Sequence, residues 1–170
     1  YTHPSFRGLI GVGREDITPP VGIYARNWGA ALHDVAEGIH RPLTATALTL
    51  QRTPEDSPFV LLALDLGWWK TLKDEWEVRG GLIKALSLDP ERVMLNLAHT
   101  HSGPAICRED QDKPGGYLIA PYLEKVKASV IRAVQHAIST RTTAILAWSQ
   151  GKCNLAQYRD LPDPEKDRII

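Results

Sequence analysis

Residues 93–104 read VMLNLAHTHSGP, and the fold turns on how this stretch is read. The apolar run 93–98 reads as a buried strand, and it ends in two histidines one residue apart before Ser102-Gly103-Pro104 breaks the chain away. Side chains at i and i+2 share one face of a strand, so His99 and His101 can aim both rings at one point. A metal needs that convergence: zinc takes imidazole nitrogens at about 2.0–2.1 Å, and a catalytic site keeps one position open for water. Two histidines that only hydrogen-bond within a loop are the alternative, and the spacing alone leaves both readings open. The Gly103-Pro104 turn leaves the imidazoles at the rim of a sheet, where ligands commonly bind.

Outward from this strand, the neighbouring segments supply the rest of an α/β domain. Residues 42–52, PLTATALTLQR, alternate apolar and polar with threonine in between, the pattern of a half-buried strand. The nearly continuous apolar run of 57–69, SPFVLLALDLGWW, predicts a strand covered on both faces. Residues 8–23 open with a short apolar run and leave it through Pro19-Pro20. A helix is predicted over 71–86 from Leu72, Trp76, Val78, Leu82, Ile83 and Leu86, although Gly80-Gly81 weakens it and Asp89-Pro90 stops it. A second helix over 121–140 carries Leu123, Val126, Val130, Val134 and Ala137 on one stripe, and 142–153 reads as a last strand. The order predicts a mixed β-sheet with helices packed against it, with the histidines on a central strand.

The 170 residues are enough for one domain with a real core, and 1–170 is read as a single domain. Twenty basic side chains balance twenty acidic ones, so there is no cationic field of the kind that draws nucleic acid. No apolar run reaches the length that spans a bilayer, and no signal-type segment opens the chain, which starts at Tyr1. A processed N terminus and a removed signal peptide are both compatible with that start. Cys107 and Cys153 lie far apart without a CxxC pattern, which argues against a zinc knuckle and a thioredoxin-type redox pair, while one disulfide and two buried thiols fit equally.

Four further residues are candidates for the site. Asp65 ends the apolar strand in VLLALDLG, residues 60–67, and must be hydrogen-bonded, paired or neutralised there; a contact that orients one of the imidazoles and a cap on the following turn both satisfy it. His40 stands in EGIHRP just before a strand, where a loop role is the simpler reading. Arg159, after the last strand, could present a guanidinium to a substrate oxygen, with a surface pair to Asp160 as the alternative. Trp28 sits in a glycine-containing loop where an aromatic can line a pocket, whereas the other tryptophans read as packing.

Taken in order, GVGREDITPPVG, EGIHRPLTATALTLQ, LLALDLG and VMLNLAHTHSGP resemble the N-terminal catalytic domain of the neutral/alkaline, non-lysosomal ceramidase family over roughly residues 8–160. The resemblance implies a zinc-dependent amide hydrolase that splits the N-acyl bond of ceramide into sphingosine and a fatty acid, acting in a secreted or periplasmic setting. It implies His99 as a zinc ligand, His101 beside the zinc's water and the substrate, His40 close to the site, and Arg159 at the reacting centre. The chain departs from the family where Ala105-Ile106 stand in place of paired glycines and threonines in place of a strand arginine. The family's remaining zinc ligands and its serine fall beyond residue 170, so the chain is expected to be an incomplete catalytic domain. A non-catalytic module with a vestigial metal site, and an unrelated metal hydrolase with two strand-borne histidines, are the competing expectations.

Overall fold

The structure is a computed structural model and describes residues 3–153. Five strands form one sheet: β1 (Ser5–Asp16), β2 (Thr44–Gln51), β3 (Phe59–Leu64), β4 (Val93–Leu97) and β5 (Thr142–Ala147), in the order β4-β3-β2-β1-β5. The first three are joined antiparallel, and β3 runs parallel to β4 after a crossover through helix α1 (Leu72–Leu86). Helix α2 (Ile119–Ser139) follows the long polar loop. The predicted mixed sheet with packed helices is thus the architecture observed. One compact unit runs Arg7–Ala144, and among the described residues a second comprises 3–6 with 145–153, in which the Trp148 N–H donates to the Pro4 carbonyl at 3.2 Å.

Period-two alternation decides which face each strand buries. In β2 the side chains of Ala45, Ala47, Thr49 and Gln51 are buried while those between them are half-buried. Their partners on the same face are Gly13 and Gly11 of β1 and Leu64, Leu62 and Val60 of β3. Both helices supply the apolar cover of this face, α2 through Leu123, Val126, Val130, Val134 and Ala137, α1 through Val78 and Leu82. A β-carbon built on Gly11 would lie 1.8 Å from the Ala137 carbonyl oxygen, and one on Gly13 2.0 Å from that of Ala133. The missing side chains therefore let the backbone of α2 rest directly on β1. At the start of α2, the buried Tyr122 hydroxyl donates to the Ile17 carbonyl at 2.6 Å, which fixes the chain as it leaves β1.

The helix over 71–86 forms without a break at Gly80-Gly81. Thr71 caps it by accepting from the Asp74 N–H, the Trp76 ring covers Gly80, and the Lys127 stem of α2 fills the space over Gly81. Packing here overrides a propensity cost of about 1 kcal/mol per glycine.

Two expectations about the strands are corrected. β3 is not covered on both faces: Val60, Leu62 and Leu64 are buried, whereas Phe59 and Leu61 are half-buried and Ala63 is exposed. A continuous apolar run carries no information on which face lacks a cover. Among the described residues, β4 is also an edge strand rather than a central one, because the parallel crossover sets it outside β3 and no described strand pairs with its other side. Met94 is accordingly 50% exposed. It ends a row of paired apolar side chains, Val12-Leu48-Leu61-Met94, across the face that the helices leave open. Among the described residues, no helix is long and apolar enough to cross a membrane.

Candidate functional site

The histidine segment begins where β4 ends. Its backbone stays tied to the chain after β3: the Ala98 N–H donates to the Leu64 carbonyl at 2.9 Å and the Thr100 N–H to that of Leu66 at 3.3 Å. Beyond the turn, the Ala105 N–H donates to the Tyr24 carbonyl at 2.8 Å, and the Asn27 side-chain amide to the Gly103 carbonyl at 2.9 Å. Residues 98–105 thus hang between two fixed points at the C-terminal ends of two parallel strands, where α/β sheets place their ligands.

The rings of His99 and His101 do converge, with centroids 5.0 Å apart and planes at 72°. They do so by a different route from the strand geometry expected. β4 stops at Leu97, so neither histidine is in the strand, and His99 has a left-handed backbone, φ 58°. That conformation costs a non-glycine residue of order 1 kcal/mol and recurs at functional sites. Both histidines are exposed.

Indoles frame the pair. Trp28, whose loop position suggested an aromatic able to line a pocket, lies 4.6 Å from His101. Trp68 lies 5.2 Å from His99 and 5.8 Å from His101, although in the sequence it reads as packing. An apolar aromatic gives the same signal in a core and in a site; only its place directly after Asp65-Leu66-Gly67 could have marked it out.

The other candidates separate. Asp65 neither orients an imidazole nor caps the following turn: its carboxylate accepts from both the N–H and the hydroxyl of Thr44, each at 2.8 Å, which pins the start of β2 to the end of β3. A carboxylate that ends a strand finds the nearest unpaired donor, and here it is on the neighbouring strand. His40 is exposed and lines, with His101, a cavity of about 390 Å³. Arg159 lies outside the described residues. Cys107 and Cys153 are unpaired, and burial pushes the Cys107 thiol above its ordinary value.

Sequence reasoning passed over Arg108, which anchors the exit of the segment. Its guanidinium makes a two-pronged ion pair with Glu77 of α1, with the Nε contact at 2.9 Å, and approaches Glu124 of α2 at 3.5 Å and the buried Asp74 at 4.0 Å. The hydrogen bonds from Arg108 hold the Glu77 carboxyl below the usual carboxylate range. A carboxyl with a lowered native value contributes stability that is complete above its unfolded value and disappears as the pH falls through the native one. The urea midpoint should therefore drop as the pH is lowered below about 4.5, the ordinary value of the group. Arg108→Met should lower the midpoint at pH 7 and flatten this acid slope; parallel acid profiles for the two proteins would show that the pair contributes nothing.

Two imidazoles on one tetrahedral ion have ring centroids roughly 5 Å apart, given zinc–nitrogen distances of about 2.0–2.1 Å. The separation in this chain, 5.0 Å, fits that arrangement. A third protein ligand is not in place, since no group of three His, Cys, Asp or Glu side chains able to hold a metal occurs among the described residues.

The arrangement of strands and helices has known counterparts. The fold occurs in neutral ceramidase. The chain is similar to the crystal structure of neutral ceramidase from Pseudomonas aeruginosa, with a TM-score of 0.59, 21% identity, and coverage of 84% of this chain and 23% of the ceramidase. It is similar to the same degree to a ceramidase complexed with C2, of which it covers 22%. The chain thus spans about a quarter of the length of these ceramidases. No protein-family model and no curated protein matches it.

Proposed function

We propose that this chain is part of a ceramidase-like module, that the module hydrolyses a lipid amide with the help of zinc, and that His99 and His101 are its contribution to the reacting centre. The observation that carries the proposal is the 5.0 Å ring separation of His99 and His101, held at the strand ends of a fold that occurs in neutral ceramidase. In this reading His99 is a zinc ligand, and His101 is an acid–base group or a second ligand. When bound, zinc supplies a water of pKa about 7 and polarises the amide carbonyl. His101 takes the proton of the attacking water and returns it to the leaving amine. Trp28 and Trp68 limit the rotation of the imidazoles, so that the ring positions are set before substrate arrives. His40 stands at the cavity side of His101, Asp65 holds the sheet end beneath it, and Arg159 is assigned to the substrate carbonyl. A secreted or periplasmic setting is part of the same proposal.

A non-catalytic module is favoured by a single observation, the lack of a third ligand among the described residues. An N-dodecanoyl amide panel separates the two. The full-length gene product should release dodecanoate in a zinc-dependent way, while residues 1–170 alone stay at background. Stoichiometric zinc in the full-length product without cleavage of any acyl amide would establish the non-catalytic module.

A further inference from the structure

The sheet ends at β4 without protection. β4 pairs with β3 in unbroken register, and among the described residues no strand pairs with its other side. The Ala98 N–H, just past the strand, donates to the Leu64 carbonyl of β3. Main-chain groups alternate sides along a strand, so those of Leu95 and Leu97 point outward, away from β3. Edge strands commonly carry a lysine, a proline or a bulge against further pairing, whereas the β4 sequence VMLNL has none of these and no charge.

The helix above this edge is bare as well. α2 lies over β1 and β2, and α1 lies beside it over the β3–β4 pair that it connects. Glu77, joined through Arg108 to Glu124, and Gly81, under the Lys127 stem, mark the flank of α1 that meets α2. With 3.6 residues per turn, Leu72, Trp76, Ile83 and Leu86 fall on the other flank, over the outer side of β4. Leu72 is 87% and Trp76 54% exposed. The Trp76 indole lies against Gly80, where a β-carbon would come within 2.8 Å of the ring. The two charges of this flank, Glu75 and Arg79, are paired with each other, so a like surface meets no net repulsion.

We propose that this side of the domain is the interface of a two-fold homodimer, in which β4 pairs antiparallel with β4 of a second copy. With the axis at Leu95, the two Leu95 residues exchange main-chain hydrogen bonds, and each Leu97 N–H meets the Val93 carbonyl of the copy. The Val93 N–H needs no partner there, since it donates to the Pro90 carbonyl. Strands are spaced about 4.8 Å apart, so the two α1 helices, each over its own β3–β4 pair, lie two spacings or about 9.6 Å apart. Helices pack at roughly 8–10 Å, so the sheet and helix layers close together. The antiparallel order sets Leu72 and Trp76 of one α1 along Ile83 and Leu86 of the other. A lone strand added to β4 would satisfy the edge but leave Leu72 and Trp76 in water, whereas a second copy covers both. This goes beyond the hydrolase reading, because it needs neither metal nor turnover.

Sedimentation equilibrium of residues 1–170 over a concentration series tests it, with amide hydrogen exchange as the readout of geometry. The mass should rise to twice that of the chain, and the Leu95 and Leu97 amides should exchange more slowly as the dimer fills. Leu72→Asp should weaken the dimer by more than about 100-fold, because each dimer loses the burial of two leucine side chains. An acid suits the first turn of α1, so this variant should keep the thermal midpoint of the monomer. Val12→Lys, on the face of the sheet that the helices leave open, should leave the dimer unchanged. A chain that is monomeric at every concentration, a dimer indifferent to Leu72→Asp or dissolved by Val12→Lys, or Leu95 and Leu97 amides that exchange alike in monomer and dimer would overturn the inference. A full-length gene product that stays monomeric with the Leu95 amide protected at every dilution would overturn it too, and would assign the edge to a further strand of the same chain.

Discussion

A His99→Ala chain is expected to bind zinc more than about 100-fold more weakly than the parent chain, since loss of a mere supporting contact to a metal ligand already costs 10–100-fold. The parent site is itself weak. A catalytic zinc normally has three protein ligands, and two imidazoles leave the remaining positions to water, so residues 1–170 should lose zinc on dialysis and hold it only while the metal is in excess. Titration with cobalt as an absorbing substitute, or zinc binding measured without dialysis, reads the difference. His99 has φ 58°, and an alanine there bears a steric penalty that asparagine largely avoids. The His99→Asn protein therefore separates the two effects: it should match the parent in thermal stability and match His99→Ala in metal affinity. Identical metal titrations for the parent, His99→Ala and His101→Ala chains would remove both histidines from any metal site.

The second large effect concerns stability. Gly13→Ala should cost about 3 kcal/mol or more, at the upper end of what overpacking usually costs, because the added carbon meets backbone rather than a side chain that can swing away. Gly11→Ala should behave alike, since its β-carbon would sit 1.8 Å from the Ala137 carbonyl oxygen. The two contacts lie one turn apart on α2, at Ala133 and Ala137, so the double variant must lift the helix from β1 along its last turns. Against a usual total stability of about 5–15 kcal/mol, that variant should be largely unfolded. Urea midpoints within error of the parent would show that α2 does not rest on the strand as described.

Much of this fold was legible because alternation and periodicity are local signals. The eight residues of β2 alternate without fault, and the stripe of α2 from Leu123 to Ala137 matches the face that is buried. What stayed hidden depends on partners. The apolar run of β3 looks the same whether one face or two are covered, and nothing within β4 tells that it is the last strand on its side. The site shows the same division. The spacing of His99 and His101 predicted convergence, yet convergence comes from a left-handed residue outside the strand, which a histidine does not announce. Asp65 was correctly read as needing a partner, but the partner is Thr44, twenty-one positions away in sequence. Arg108 and Trp68 were unmarked because an ion pair and an indole contact rest wholly on tertiary placement.

The suspension of residues 98–105 has a consequence for engineering. Its backbone ties at Ala98, Thr100 and Ala105 are made by main-chain N–H groups, which every residue except proline provides. The span between the ties can therefore be treated as a cassette. Its imidazoles could be exchanged for thiols, carboxylates or a fluorescent side chain while the sheet beneath keeps its register, provided that position 99 is given a residue tolerant of positive φ and that Gly103 still offers its carbonyl to Asn27. A scaffold with two main-chain clasps and a variable stretch between them is a starting point for installing metals and reactions that the parent does not use.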